Sequence, residues 1–393
     1  MRNDSLNKNM SMRKKWLILS GGILFLCGFN VFSVQNQIVT ENGNENEDLF
    51  TKVHIIVAGD AMCHSPQITH AKKNTANDYD FSGCFQYLTD ILAKGDLNII
   101  NLETTLAGAP YSGYPQFCAP DEFASALKDA GFNFFLLANN HCADKGTKGT
   151  VTTIKKLKNM QIPFTGAYLD EEDRQNRYPA LVKINEMKIA LLNYTYGTNG
   201  LTVAHPVSIN DLNDTSQIIK DLEVAKNQKA DIIIAFLHWG SEYQQAPNSI
   251  QKEQAEFFFK NGTDIIVGSH PHVIQPVEYF SYDPSDTTKK KLIYWSLGNL
   301  ISNQRKEHTD GGILASFTIT KDKKTNSIQI ENATAIPYWV YRNTTLPPGY
   351  FVLPTARFLN DTTTFTFSNE DRTAFQRFVD NTNKIVKNVE INN

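Results

Sequence analysis

Between residues 53 and 295, short apolar runs alternate with amphipathic segments, and few architectures accommodate such an alternation. Val53–Ala58, Asp96–Leu102, Phe132–Ala138, Lys188–Tyr194, Asp231–Leu237, Thr263–Val267 and Leu292–Trp295 are short, apolar and bounded by turn residues, the pattern of buried strands. Between them lie helical patterns. Asp121–Ala130 places Phe123, Leu127 and Ala130 on one face and stops at Gly131. Thr215–Asn227 places Ile218, Ile219, Leu222 and Ala225 on one face, and Ser249–Lys260 runs into Asn261-Gly262, a helix stop. Strands alternating with helices predict an α/β domain with helices covering a sheet. Past Gly312 the pattern becomes alternating strands over 313–320 and 327–336. A Pro-rich stretch from Pro337 to Pro354 follows, and a last amphipathic helix spans about Asn369–Val386. The tail is expected to complete a second sheet and to add a packing appendage.

The N-terminus carries a different signal. Arg13, Lys14 and Lys15 precede a run from Trp16 to Val34 without a charged residue. Nineteen residues at 1.5 Å rise span roughly 28 Å, about the hydrocarbon thickness of a bilayer. The basic flank predicts that the chain beyond this run is translocated across the cytoplasmic membrane. Residues 1–34 are therefore expected to be a signal peptide or a membrane anchor. The run is long for a signal peptide and no small-x-small cleavage site comes cleanly after it, which favours an anchor. Lipidation at Cys27 is a third option, against which stands the bulk of Leu26. Residues 35–51, with Glu41, Glu45, Glu47 and Asp48, have the composition of a solvated linker. The main domain is expected over 52–336, with 337–393 as a C-terminal appendage. A chain of 393 residues with 41% hydrophobic and 20% charged residues excludes wholesale disorder. A formal net charge of −3 argues against a nucleic-acid binder. Five cysteines without a CxxC spacing define neither a zinc knuckle nor a disulfide framework, though one pair could be oxidised outside the cytosol.

Polar residues fall where chemistry would need them. In open α/β sheets, ligands bind at the carboxyl ends of strands. Here successive strands run into Gly59-Asp60, Asn101-Leu102-Glu103, Asn139-Asn140-His141, His238-Trp239-Gly240-Ser241-Glu242, Ser269-His270-Pro271-His272 and Ser296-Leu297-Gly298-Asn299. Singly, Asp60 suits a turn and His141 or His238 a satisfied core histidine. Glu103 is odder, because a carboxylate at a buried strand end is costly unless paired or ligated. His270 and His272 gain weight as a pair, since alternation along an extended segment puts both imidazoles on one side. Together the two carboxylates, one amide and four histidines form a candidate metal site. Asp, Glu, Asn and His without Cys suit a divalent Mn, Fe or Zn ion.

The set GDAM, NLETTL, ANNHCADKG, HWGSEY, GSHPHVIQ and YWSLGN, spread over 53–302, resembles the CapA (poly-γ-glutamate capsule biosynthesis) family of the calcineurin-like metallophosphatase superfamily. The resemblance implies a four-layered α/β/β/α sandwich holding two divalent metals at the strand ends. It implies Asp60 and His272 on the first metal, Glu103 as the bridging carboxylate, and Asn140, His238 and His270 on the second metal. It implies that His141 faces a phosphate and protonates or stabilises the leaving group. Two positions depart from the superfamily pattern. Met62 stands where Asp-x-His has its histidine, so the first metal lacks a ligand, takes water or His64, or binds weakly. Glu103 replaces the usual bridging aspartate. Glu242, Asn299 and Arg305 are candidate substrate contacts, with Tyr243 beside Glu242. Lys145 is better explained by solvation and Trp239 by packing.

Two functions are expected. One is an extracytoplasmic metal-dependent hydrolase of a phosphoester or related envelope substrate. The other is a membrane-anchored accessory protein without catalysis, serving the assembly or export of an anionic polymer beside polymer-synthesis or export subunits. No GxxxxGK[ST] motif is present to make the chain itself a synthetic engine.

Overall fold

The computed structural model describes residues 49–73, 78–282, 285, 290–361 and 363–391. The apolar run at 16–34 and most of the linker lie outside the described residues, and no described helix is long and apolar enough to cross a membrane. The first described strand is Phe50–Ala61, whose first two residues fall within the expected linker.

Two sheets form the centre. Among the described residues, the first has the order Tyr350–Pro354, Ile328–Arg342, Gly311–Asp322, Phe50–Ala61, Leu97–Leu102, Phe134–Leu136 and Phe164–Thr165. Asn299–Ile301 also pairs with Phe50–Ala61, and Glu390–Ile391 with Ile328–Arg342. The second has the order Val277–Ser281, Lys290–Tyr294, Ile265–Ser269, Ile232–His238, Met187–Thr195 and Ala180–Ile184. The strands from Phe50–Ala61 to Phe164–Thr165 are parallel, as are those from Met187–Thr195 to Lys290–Tyr294. Each parallel set therefore presents its carboxyl ends along one edge.

Alternation along the strands builds the layers. Val53, Ile55 and Val57 turn inward to meet Ile189, Leu191, Ile234, Phe236 and Val267 of the second sheet. Their neighbours Ile56 and Ala58 turn outward, packing with Phe123 and Leu127 of helix Asp121–Ala130 and with Ile154 and Leu157 of helix Gly146–Asn159. On the far side, Ile233, Ala235 and Ile266 meet Ile218, Leu222 and Ala225 of helix Thr215–Asn227 and Phe258 of helix Ser249–Lys260. The three apolar interfaces make an α/β/β/α sandwich. Ile219 is not on the buried stripe: it is 38% exposed, one residue and so 100° round from Ile218.

The tail differs from the expectation. Gly311–Asp322 pairs antiparallel with Phe50–Ala61, so the tail strands extend the first sheet and complete no second one. The Ile328–Arg342 strand also runs through residues 336 and 337, where the sequence pattern suggests a boundary. Its inward face carries Trp339 and Tyr341, which pack with Phe375 and Phe378 of the last helix, Asn369–Ile385, as part of the inter-sheet core. Burial of such aromatic surface makes the C-terminal segment integral to the fold. The described cysteines, Cys63, Cys84, Cys118 and Cys142, are buried and free.

Candidate metal centre

The sandwich brings strand ends of both sheets to one place. From the first sheet come Asp60, Glu103, Asn140 and His141; from the second come His238, His270 and His272, and all seven are buried. Asp60 ends its strand beside Gly298, whose carbonyl oxygen accepts its N–H at 3.1 Å. This approach requires glycine at position 59, because a Cβ there would lie 2.0 Å from the Gly298 oxygen. The carboxylate Oδ1 of Asp60 accepts from Asn101 Nδ2 at 2.8 Å, and Oδ2 accepts from the His270 N–H at 3.1 Å. His272 Nδ1 lies 3.1 Å from Asp60 Oδ2 and 3.0 Å from Asn299 Oδ1. His238 Nε2 lies 2.9 Å from Asn140 Oδ1, and its Nδ1 2.9 Å from Ser269 Oγ.

The His270-Pro271-His272 segment is not extended. Both histidines hold left-handed backbone, with φ of 95° at His270 and 58° at His272. The two rings nonetheless converge, with centroids 5.8 Å apart. A turn, and not strand alternation, aims them into the site. Non-glycine residues in this region are uncommon and cluster at ligand-holding sites.

Glu103 gives the clearest sign of a cation. Neither carboxylate oxygen has a hydrogen-bond partner, although the side chain is fully buried. Oε1 has His238 Nε2 at 3.8 Å, His272 Nε2 at 3.8 Å and His141 Nε2 at 4.0 Å. Those separations are too long for hydrogen bonds, yet short enough for groups sharing an ion with metal–ligand bonds of about 2 Å. Burial, and then the neighbouring charge of Asp60, push the Glu103 carboxyl well above the usual carboxylate range. Burial also acts to raise Asp60, but hydrogen bonding and charge from His272, with His238 and Asn101, outweigh it and hold Asp60 low. Burial pulls His238 well below the ordinary imidazole value and His270 down to about 3. Both rings are thus kept in the neutral, ligating form. An orphaned carboxylate, a His270 Nδ1 that is equally unpartnered, and neutral imidazoles fit a divalent cation. Glu242, His270 and His272 offer ligand atoms within 4.8 Å of one another, and so do Asp60, Glu103 and His238.

His141 stands slightly apart. Its Nδ1 lies 2.7 Å from Asp144 Oδ2, and because a carboxylate only accepts, the hydrogen sits on Nδ1. Phe117 holds this pair in place, its N–H donating to Asp144 Oδ2 at 2.6 Å and its ring packed edge-on to the imidazole at 4.6 Å.

The other sequence candidates fall around this centre. Asn299 is fully buried behind His272 and donates to the Thr309 carbonyl and to Gln304 Oε1, both at 2.9 Å. Arg305 is exposed on the following loop, its guanidinium 5.8 Å from the Tyr350 ring centroid. Glu242 is exposed at the rim, whereas Trp239 is fully buried against Trp295 with ring centroids 5.5 Å apart. Met62 is buried, and His64 Nδ1 accepts the Asn303 N–H at 3.2 Å while burial pulls its proton affinity down to about 4. Asp144, Asn101 and Ser269 are not among the sequence candidates. The signal that could have found them is proximity: each lies within three residues of a named ligand or of His141.

Comparison with known proteins places the chain in a family. Over 283 residues the chain is 29% identical to the capsule biosynthesis protein CapA of Bacillus anthracis, covering 70% of this chain and 64% of that protein. Over 220 residues it is 29% identical to the PGA biosynthesis protein CapA of Bacillus subtilis, covering 55% of this chain and 56% of that one. Over 206 residues it is 27% identical to a Mycobacterium tuberculosis protein named a probable polyglutamine synthesis accessory protein, covering 48% and 53%. The chain thus spans between about half and two thirds of the length of these relatives. Among solved structures it is similar to the calcineurin-like phosphoesterase YfkN of Bacillus subtilis, at 14% identity and a TM-score of 0.43, covering 85% of this chain and 98% of that one. The sequence model of the bacterial capsule synthesis protein PGA_cap matches residues 54–304, well over half of the chain, and the protein belongs to that family.

Proposed function

We propose that this protein is a metal-dependent hydrolase of a phosphoester or related envelope substrate, acting outside the cytoplasmic membrane in the biosynthesis of a poly-γ-glutamate type of capsule or cell-surface polymer. The observation that carries the reading is Glu103, a fully buried carboxylate without a hydrogen-bond partner and ringed by three imidazole nitrogens at 3.8–4.0 Å. A cation is the group that best offsets such a carboxylate. Asp60, Glu103, Asn140, His238, His270 and His272 would hold two divalent ions, of Mn, Fe or Zn. When bound, such ions stabilise charge on a phosphoryl group. His141, with its Nδ1 proton fixed by Asp144, presents Nε2 to the same space and is placed to exchange a proton with a leaving group. Polymer-synthesis or export subunits are the partners this role calls for.

The test is hydrolysis of bis(p-nitrophenyl) phosphate by the purified chain after reconstitution with Mn²⁺. Turnover in the wild type and its loss in Glu103→Ala are expected. Metal binding without turnover on phosphomonoesters or phosphodiesters would instead favour a non-catalytic accessory role in assembly or export of an anionic polymer; the mycobacterial relative is itself named an accessory protein. For location, a reporter fused after residue 302 is expected to be active only outside the cytoplasm; activity confined to the cytosol would refute that part.

A further inference from the structure

The first strand withholds one donor from the metal centre. Met62 is buried, its N–H donates to the Ile301 carbonyl at 2.9 Å, and its carbonyl accepts from Gln67 Nε2 at 3.0 Å. A thioether is a poor ligand for a hard or borderline divalent ion. His64, two residues on, has its Nδ1 engaged by the Asn303 N–H and by Gln67 Oε1, each at 3.2 Å, and belongs to neither group of converging ligand atoms. On the side of the second sheet, His270 has a buried Nδ1 with no hydrogen-bond partner.

A second loop closes on that side. After His238 the chain turns through Gly240, at φ 86°, and Tyr243, at φ 68°. The Tyr243 N–H donates to the Pro271 carbonyl at 2.8 Å, which pins this loop to the turn carrying His270 and His272. Glu242 lies between these anchors, with a carboxylate oxygen within 4.8 Å of ligand nitrogens on both histidines. Two divalent ions bring a formal charge of about +4, and Asp60 and Glu103 offset half of it. A third carboxylate reduces the surplus that the buried site would otherwise carry.

We propose that Glu242 is a metal ligand, supplying a donor from the loop after His238 to a centre in which Met62 offers none. The proposal rests on the metal-centre reading above and adds to it a carboxylate at the solvent edge. Because that ligand is exposed, the ion it helps to hold is the more readily exchanged of the two.

The experiment is calorimetric titration of the purified, metal-stripped full chain with Mn²⁺, with elemental analysis of the bound ion after gel filtration. In Glu242→Gln, loss of one ion, or binding of one ion at least about tenfold weaker, is expected, with the remaining affinity unchanged. Glu242→Asp keeps the charge on a shorter arm and should fall between the two. A Glu242→Gln isotherm matching the wild type, whatever the number of ions, overturns the role of Glu242 and leaves the metal centre standing. A wild type that binds no Mn²⁺ removes the centre and this proposal with it.

Discussion

At the scale of single residues, the proposed site separates groups that would hold charge from a group that would move a proton. The Glu103 carboxylate has no hydrogen-bond partner, whereas His141 Nδ1 is held by Asp144, itself tied to the Phe117 backbone. Deleting them should have different consequences. Glu103→Ala should lose bound metal and with it all turnover, because the carboxylate common to His238 and His272 is gone. His141→Ala should keep the metal content of the wild type and lower kcat by about 10²- to 10⁴-fold, the usual worth of a positioned acid or base. Asp144→Asn should also keep the metals and cost less than His141→Ala, since the ring stays but its orientation and tautomer loosen. Metal analysis beside steady-state rates separates these outcomes; loss of metal in His141→Ala would move that residue into the ligand set.

At the scale of elements, what was legible and what was not divides by the range of the interaction. Apolar runs such as Ile232–His238 and capped helices such as Ser249–Lys260 carry their signal locally, so their existence could be read and only their ends moved by a residue or two. The helix Gly146–Asn159 is not legible because two glycines and four threonines dilute its apolar stripe; only packing against the sheet makes it helical. Sheet membership of the tail is hidden because pairing of Gly311–Asp322 with Phe50–Ala61 joins residues more than 250 apart, which no periodicity records. The site's ligand types were legible at the strand ends. The left-handed turn at His270 and His272, and the reach of Glu242 toward it, were not, since both depend on loops closing across two sheets. The same limit hid a buried junction between helices Glu171–Arg177 and Thr215–Asn227 and the strand Met187–Thr195. There Asp221 accepts from Arg174 Nη2 at 2.7 Å, from the Tyr194 hydroxyl at 2.7 Å and from Gln217 Nε2 at 2.9 Å. Asp221→Ala leaves a buried guanidinium unpaired and is expected to cost about 3–5 kcal/mol in urea unfolding. A cost under about 1 kcal/mol would mean that water reaches Arg174 and replaces the carboxylate.

At the scale of the molecule, the proposed metal centre is also a joint between the two sheets. Asp60, Glu103 and Asn140 come from the first sheet and its loops, whereas His238, His270 and His272 come from the second. Apart from the apolar core between the sheets, the site joins the two by contacts such as Asp60 to His272 and Asn140 to His238, which an ion shared across it would reinforce. An ion that binds the folded chain and not the unfolded one stabilises it by mass action, by about 2.7 kcal/mol when present at 100 times its dissociation constant. For a body of this size each kcal/mol shifts the melting temperature by about 2–4 °C or less, so saturating Mn²⁺ should raise it by several degrees and a chelator should remove the gain. The rise should shrink in Glu103→Ala and in His272→Ala, whose lost groups lie on opposite sheets, and persist in His141→Ala. Melting temperatures of the wild type and these three variants, each with Mn²⁺ and with chelator, make the measurement. A wild-type melting temperature indifferent to Mn²⁺ would show that no cation bridges the two sheets.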